Sequence, residues 1–225
     1  MSPTDDPQPK AAAVPVEAFL WPVMERATCP PIVAPYDQPF ATVLEHRRSY
    51  RQVTRAPLNE IINALGFAMR PRFWKDNDLF GRTRRPAISA GALHPLTALI
   101  IPNRDDHRIF RYDAVQHCLE LLQTDTASLK AWLQRPAELL PDADGSIIIL
   151  VADIAISGAV YERAESLVWR DAGALLQTVA MVCTAYRLAF CPLALLGTEV
   201  VATLRAPHRL LAAGSGLIGY HAQGT

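Results

Sequence analysis

Apolar positions recur at helical spacing in two segments of the chain. Residues 58, 61, 62 and 65 are apolar and follow Pro57, and proline is favoured at the first position of a helix. Within 162–187, apolar residues recur mostly every three or four positions, and three more at 180–182 widen the apolar surface. We therefore predict a helix that begins near Pro57 and a longer helix, buried on most sides, over 162–187.

Between these helices, strand-like apolar runs alternate with polar turns. The runs at 96–101, 108–112 and 118–122 are separated by short polar stretches, which is the pattern of an antiparallel meander. Residues 146–151 are almost continuously apolar, as a buried central strand would be. A last strand is predicted near 217–221. Helices combined with a mainly antiparallel sheet indicate an α+β domain.

Shorter elements and irregular segments complete this prediction. Asp125 is placed to cap a short helix that runs to residue 133, and a second short helix is predicted near 197–205. The dipeptide at 191–192 contains a proline and predicts a break in the chain after the long helix. Residues 70–85 carry five arginines and three aromatic residues with little periodicity. This composition predicts a long loop that serves as a lid or a partner surface.

Prolines are frequent at the start of the chain, so we interpret residues 1–40 as an extended arm and residues 41–225 as the domain. The chain has 225 residues, which is enough for one domain with a substantial core. Its 22 basic and 22 acidic residues cancel, so no net charge attracts nucleic acid or an anionic membrane. Residues 1–6 do not resemble a signal peptide. We expect a cytoplasmic protein with neither kind of partner.

The cysteines show no spacing typical of a zinc site or a disulfide framework, and no histidine stands at ligand distance along the chain. In such a chain we expect reduced and mostly buried thiols, and no metal site. The cysteines are Cys29, Cys118, Cys183 and Cys191.

The first candidate binding motif is R-R-S-x-R, formed by Arg47, Arg48, Ser49 and Arg51. An arginine side chain presents a planar fork that bonds two phosphate oxygens at once. A serine hydroxyl and nearby backbone amides can complete the shell around the phosphate. Taken alone, the motif also fits a solvated basic turn.

The second candidate motif is a run of small residues. Small side chains let a flat group approach the backbone closely, and a glycine permits a positive φ. Taken alone, the run also fits a tight connection before the strand at 96–101. A phosphate-binding cluster followed by a cradle for a flat ring together predict a site for flavin mononucleotide (FMN). The run consists of Ser89, Ala90, Gly91, Ala92 and Leu93.

These motifs, with three more, resemble the nitroreductase superfamily and specifically its SagB-type dehydrogenases, which include the azoline oxidases of bacteriocin-like peptide pathways. The resemblance covers about residues 41–224. Its further motifs are Y-D-x-x-x-H-x-L-E-L-L at 112–122, R-A…D-A-G…Q at 163–177, and C-P-L at Cys191, Pro192 and Leu193.

The resemblance implies a nitroreductase-like α+β fold and FMN bound at the interface of a homodimer. The phosphate cluster and the small-residue run of one site would come from different subunits, and C-P-L would contact the flavin ring. The implied activity is the two-electron oxidation of an azoline ring in a precursor peptide. Implied partners are that peptide and a related flavoprotein or a cyclodehydratase.

The chain also departs from the pattern of this branch. Many azoline oxidases carry a Lys-Tyr pair before R-A, but here Ala159 and Val160 precede Tyr161, which is left as the catalytic candidate. Ala174 and Thr178 replace a histidine and an asparagine, and after C-P-L Ala194 and Leu195 replace expected glycines. Two further functions therefore stay open: a subunit with reduced catalysis that lends a half-site to a related flavoprotein, and an NAD(P)H-dependent nitro or quinone reductase.

Two histidines have alternative interpretations. His94 follows the small-residue run, where it either shuttles a proton or packs against the core. His117 precedes a predicted strand and is interpreted as structural.

Overall fold

A computed structural model describes residues 6–204 and 208–222 of the protein. The helices are α1 (Phe40–His46), α2 (Leu58–Met69), α3 (Thr126–Leu139), α4 (Ile154–Val160), α5 (Glu165–Ala185) and α6 (Thr198–Ala202). The strands are β1 (Gln8–Pro9), β2 (Val23–Thr28), β3 (Val53–Thr54), β4 (Phe73–Trp74), β5 (Thr83–Arg84), β6 (Leu96–Ile101), β7 (Ile109–Asp113), β8 (Cys118–Leu122), β9 (Ser146–Asp153), β10 (Tyr161–Glu162), β11 (Ala189–Leu193) and β12 (Leu210–His221).

One large antiparallel sheet organises the fold, with strand order β11-β12-β9-β6-β7-β8-β2, and β3 pairs with the far end of β12. The predicted meander is β6-β7-β8. Strand β9 is buried along its whole length because helices cover both faces of the sheet at this point. The α+β class and the mainly antiparallel sheet are therefore confirmed.

Alternate residues of β9 belong to two different cores, because successive side chains of a strand point to opposite faces. Ile148 and Leu150 lie in the core that includes residues of α2 and α5. Ile147 and Ile149 lie in the core that includes residues of α3 and α6. The long helix α5 packs in the first core with one apolar face, whereas Trp169, Arg170, Gly173 and Gln177 are exposed, so in the single chain it is not buried on most sides as predicted. Cys29, Cys118, Cys183 and Cys191 are free and buried, as predicted.

Several local predictions differ from the structure. The dipeptide Cys191–Pro192 does not break the chain, since both residues lie within β11. This strand is at the edge of the sheet, where a missing backbone N–H is tolerated. The last strand begins at Leu210, and α3 continues past Pro136. Residue 205 of the helix predicted near 197–205 lies outside the described residues.

The segment 70–85 is mostly a loop, as predicted, although β4 and β5 pair within it. Strand β2 and helix α4 were not predicted.

Within the described ranges, no helix is long and apolar enough to cross a membrane.

The segment interpreted as an arm is bonded to the sheet at several points. Strand β2 pairs with β8, and β1 pairs with β10. His117 Nε2 donates to the carbonyl of Pro30 (2.6 Å), which leaves Nδ1 to accept from the buried Tyr112 hydroxyl (2.8 Å). Asn63 of α2 exchanges two hydrogen bonds with the backbone of Val33 (2.8 and 3.1 Å). The tyrosine and histidine of Y-D-x-x-x-H thus hold the arm, and His117 is structural.

Glu120 of β8 joins the arm to the sheet through a buried ion-pair network. Its side chain is 0% exposed and accepts from Arg111 Nε of β7 (2.6 Å) and from Arg26 Nε of β2 (3.0 Å). Asp113 and Cys118 place ligand-type atoms within 4.8 Å of this carboxylate. Arg111 bonds Asp113 as well (2.8 Å), so the arginines already neutralise both carboxylates. The cluster is therefore explained as the anchor of β2.

Replacing Glu120 with glutamine should destabilise the protein by about 2–4 kcal/mol, because Arg111 would keep a buried charge without its main partner. Urea unfolding followed by circular dichroism measures this change. The matched control is Glu199→Gln, which removes an exposed partner of Arg135 and should change the free energy of unfolding by less than about 1 kcal/mol. Equal effects of the two substitutions would contradict the assignment of Glu120 as an anchor.

Candidate functional site

The small-residue run forms a turn with an unusual backbone between β5 and β6. Ala90–Ala92 make a 3₁₀ turn in which Gly91 has a φ of 60°. Ala92 and His94 also have left-handed values, 55° and 49°. A side-chain-bearing residue in this region loses about 1 kcal/mol relative to right-handed backbone. The turn therefore needs specific contacts that fix its conformation.

Asp171, in the first half of α5, supplies those contacts. Its carboxylate is buried (6% exposed) and accepts from the Ser89 hydroxyl (2.5 Å) and from the Ala90 backbone N–H (3.1 Å). Ser89 Oγ in turn accepts from the His94 backbone N–H (3.0 Å). One buried charge thus fixes both ends of the turn. The role that the structure gives to the Ser89 hydroxyl is to hold this turn.

Tyr161 lies directly against the turn. A Cβ placed on Gly91 would come within 2.9 Å of the Tyr161 hydroxyl oxygen, so the contact requires glycine at this position. An open pocket of about 700 Å³ lies beside Tyr161 and is also lined by Lys10, Glu162 and Val168. The catalytic candidate therefore lies beside both the predicted ring cradle and an open pocket.

Lys10 was missed by the sequence analysis. Its backbone N–H donates to the carbonyl of Val160 (2.8 Å), next to the pairing of Pro9 with Tyr161. This pairing joins the start of the described chain to its centre, and the local sequence around Lys10 contains no signal of it. No lysine precedes Tyr161 in the sequence, but Lys10 of the arm lines the same pocket as Tyr161.

The R-R-S-x-R motif follows α1 and lies at the edge of the sheet. Ser49 forms a bridge with Phe190 of β11, and the Tyr50 backbone N–H donates to the Phe190 carbonyl (3.1 Å). Arg48, Ser49 and Arg51 are exposed. Within residues 6–204 and 208–222, the guanidinium groups of Arg47, Arg48 and Arg51 make no hydrogen bond or ion pair. They are available to an anion.

The same edge brings this motif together with C-P-L. Cys191, Pro192 and Leu193 lie in β11 immediately after Phe190 and pair with Leu217, Gly216 and Ser215 of β12. Burial raises the pKa of the Cys191 thiol, and the nearby positive charge of Arg51 partly opposes this. Pro192 is exposed and Leu193 is half-buried, so both have surface that a ligand can contact.

The small-residue turn and the arginine motif lie at opposite ends of the sheet. The turn leads into Leu96, which pairs with Ala152 of β9. The arginine motif flanks Phe190, which pairs with Ile218 and through it with Ser146 of β9. The two positions on β9 are about 20 Å apart along the strand, at about 3.3 Å per residue. One chain therefore presents two separated half-sites.

His94 is held as a neutral donor. Its Nε2 donates to the carbonyl of Thr83 (2.8 Å), and burial, together with the positive charge of Arg85, lowers the pKa of His94 to about 4. A ring with this pKa is not an imidazolium at neutral pH, so it has no acidic proton to give, and its one N–H is held by the Thr83 carbonyl. Of its two interpretations, the structure favours packing.

Two residues that depart from the SagB-type pattern, Thr178 and Leu195, make contacts within the chain. The Thr178 hydroxyl donates to the carbonyl of Ala174 within α5 (2.8 Å). Leu195 packs partly buried against the core of α3 and α6, and its carbonyl accepts from the Ser215 hydroxyl (2.5 Å). Neither residue presents an unused polar group to a ligand.

Comparison with known proteins relates the fold to solved nitroreductase structures. A nitroreductase-like protein from Ralstonia eutropha JMP134 is 20% identical with a TM-score of 0.65, covering 95% of this chain and 100% of that chain. Nitroreductase CinD from Lactococcus lactis, solved with chloramphenicol, is 15% identical with a TM-score of 0.54, covering 83% and 92%. The Escherichia coli microcin synthetase McbBCD complex with truncated pro-MccB17 bound gives 15% identity and a TM-score of 0.55, covering 78% and 68%.

No protein-family model and no curated protein matches the chain. At these identities the solved structures establish the fold, which is nitroreductase-like.

Substituting Asp171 with asparagine should destabilise the protein by about 1.5–3 kcal/mol, since hydrogen bonds to a buried charge are replaced by weaker ones. The small-residue turn should also become more accessible, which amide hydrogen exchange at Ala90 and His94 measures. Asp125→Asn is the control, because asparagine caps a helix as well as aspartate does and Asp125 caps α3. Unchanged exchange at Ala90 in Asp171→Asn would show that another contact holds the turn.

Proposed function

We propose that the protein is an FMN-dependent oxidoreductase of the SagB type, which oxidises azoline rings or related bonds in a modified precursor peptide. The observation that carries the proposal is the pair of half-sites at opposite ends of one sheet. One half-site consists of the R-R-S-x-R arginines, which have no partner among the described residues, and of C-P-L. The other half-site consists of the small-residue turn and Tyr161. The nitroreductase-like fold and the structural likeness to the microcin synthetase complex support it.

The residues of both half-sites fit an FMN molecule. Arg47, Arg48 and Arg51, with the Ser49 hydroxyl, would hold its phosphate, because the three arginines are close in sequence and their guanidinium groups have no partner among the described residues. The backbone at 90–93 would lie against the ring, since its first three residues are small and Gly91 is exposed. Cys191, Pro192 and Leu193 would contact the ring from the other half-site.

Conversion of an azoline to an azole removes two hydrogens, one as a hydride and one as a proton. FMN, when bound, supplies the acceptor for the hydride. The chain itself must supply the group that takes the proton. Tyr161 and Lys10 line the same pocket, and a phenol hydroxyl and an amine are both groups that can transfer a proton. We therefore assign the proton step to Tyr161, with Lys10 as the residue that supports it.

The separation of the half-sites implies that a complete site forms between two chains. In a homodimer the arginine motif of one subunit would face the turn of the other. A second candidate function is that of a subunit with reduced catalysis, which lends one half-site to a related flavoprotein. The internal bonding of Thr178 and the packing of Leu195, in place of polar or glycine residues, favour this alternative.

FMN should bind the assembled protein saturably, and Arg51→Gln should weaken binding about tenfold to a hundredfold, the value of one or two charge-assisted bonds. Quenching of flavin fluorescence during titration measures this affinity. The control is Arg135→Gln, which removes the same charge from an exposed ion pair with Glu199. No saturable binding by the wild-type protein, alone or with a partner flavoprotein, would end the flavin proposal.

Azole formation on a cyclised precursor peptide should be slow with this chain alone and faster with its partner proteins. Tyr161→Phe should reduce the rate of the active assembly by about a hundredfold or more, because a general base typically contributes that much. Lys10→Met should also lower the rate, whereas Glu162→Gln in the same pocket should not. Rapid NAD(P)H-dependent reduction of a nitroaromatic, with no azole formed, would instead identify a reductase.

A further inference from the structure

We propose that the pocket between the β4–β5 pair and the small-residue turn binds a carboxylate through Arg85, with the flat apolar part of the same ligand against the pocket wall. This inference rests on the proposed function in one respect, namely that the carboxylate belongs to the substrate.

The pocket is open, has a volume of about 440 Å³ and carries only one sign of charge. None of the described residues that line it is acidic. A smaller recess continues inward from it towards α2 and α5, and Asp171, whose carboxylate already accepts from Ser89 and Ala90, lies in the lining of that recess. Its walls combine apolar and basic side chains, namely Phe73, Ala87, Ile88 and Ala92 with Lys75, Arg82, Arg84 and Arg85. Such a pocket attracts an anion that also has an apolar surface.

Arg85 is a partly buried cation of this pocket, and among the described residues only the more distant charge of Asp113 acts on it, whereas the neighbouring Arg84 is exposed. Arg82 and Lys75 both pair with Asp78, at 2.7 and 3.7 Å. Arg85 Nε donates to the Thr83 hydroxyl (3.0 Å), but its other nitrogens make no hydrogen bond or ion pair with any described residue. Burial lowers the pKa of Arg85 to about 10, so its charge is partly desolvated although it is retained at neutral pH. A partly desolvated, unpaired guanidinium binds a carboxylate strongly.

The guanidinium of Arg85 is also held in position. Thr83 is 3% exposed and anchors two side chains of the pocket: its hydroxyl accepts from Arg85 and its carbonyl accepts from His94. Because His94 is neutral, it adds no competing charge. The fork of Arg85 is thus oriented before a ligand arrives, which reduces the entropy lost on binding.

The walls of the pocket explain why the ligand should be flat and apolar beyond its carboxylate. Phe73 is 63% exposed and Ile88 is 78% exposed, and both line the pocket. A ring or a planar peptide segment would cover these surfaces and gain from their burial. Ser89, Ala92 and His94 line the same pocket, so a ligand bound here would lie beside the turn that we assign to the flavin ring.

Fluorine NMR titration tests the carboxylate preference with two probes of equal shape, 4-fluorobenzoate and 4-fluorobenzamide. The wild-type protein should bind the carboxylate at least about tenfold more tightly than the amide, given the strength of a charge-assisted bond. Arg85→Gln should abolish the preference, and Arg85→Lys should retain part of it. Arg84→Gln is the matched control, because Arg84 is an exposed neighbour that also lines the pocket.

Equal binding of the two probes to wild-type protein overturns the proposal without any variant. If Arg84→Gln and Arg85→Gln weaken binding of the carboxylate probe equally, the proposal is also overturned. The attraction would then come from the positive charge of the pocket as a whole and not from Arg85. A capped glutamate dipeptide and its glutamine counterpart form a second pair of probes, and a stronger carboxylate preference there assigns the ligand to a peptide side chain. The titrations need no flavin, so their failure is separable from a failure of FMN binding.

Discussion

A single buried carboxylate, that of Asp171, sets the conformation on which the candidate site depends. A charge inside a protein must be compensated, and here the compensation comes from a hydroxyl and a backbone amide of the small-residue turn. Those bonds offset the left-handed backbone of Ala92 and His94. Because Asp171 lies on α5, which packs against α2, the turn is tied to the main core. The conformation of the turn therefore depends on the packing of α5 against α2.

The central strand β9 adds a second constraint, which is distance. It is buried on both faces and pairs on both sides, so its length is fixed. The small-residue turn lies near one end of β9, and the arginines of R-R-S-x-R lie near the other end. Since this spacing cannot change without disrupting the sheet, the site that we propose at both ends would be completed by another chain.

The sequence predicted best those elements whose stability is local. The start of α2, the meander and β9 have regular apolar spacing and clear turn residues, and each is present. Strand β2 was missed because it is exposed and depends on pairing with β8 and on the contact of Arg26 with the buried Glu120. In the candidate site, the motif residues were predicted from their chemical types. Lys10 and Arg85 were not, because their significance comes from which distant segments lie beside them.

The pairing of β1 and β2 with β10 and β8 has a consequence for synthesis of the chain. These early segments leave the ribosome well before the strands with which they pair, and β12, which lies between β9 and β11 in the sheet, is made after both of them. Most contacts of the sheet edges are therefore non-local, and such topologies fold slowly. A nascent chain would carry unpaired strand edges for much of its synthesis, and it would need protection from aggregation until β12 is inserted.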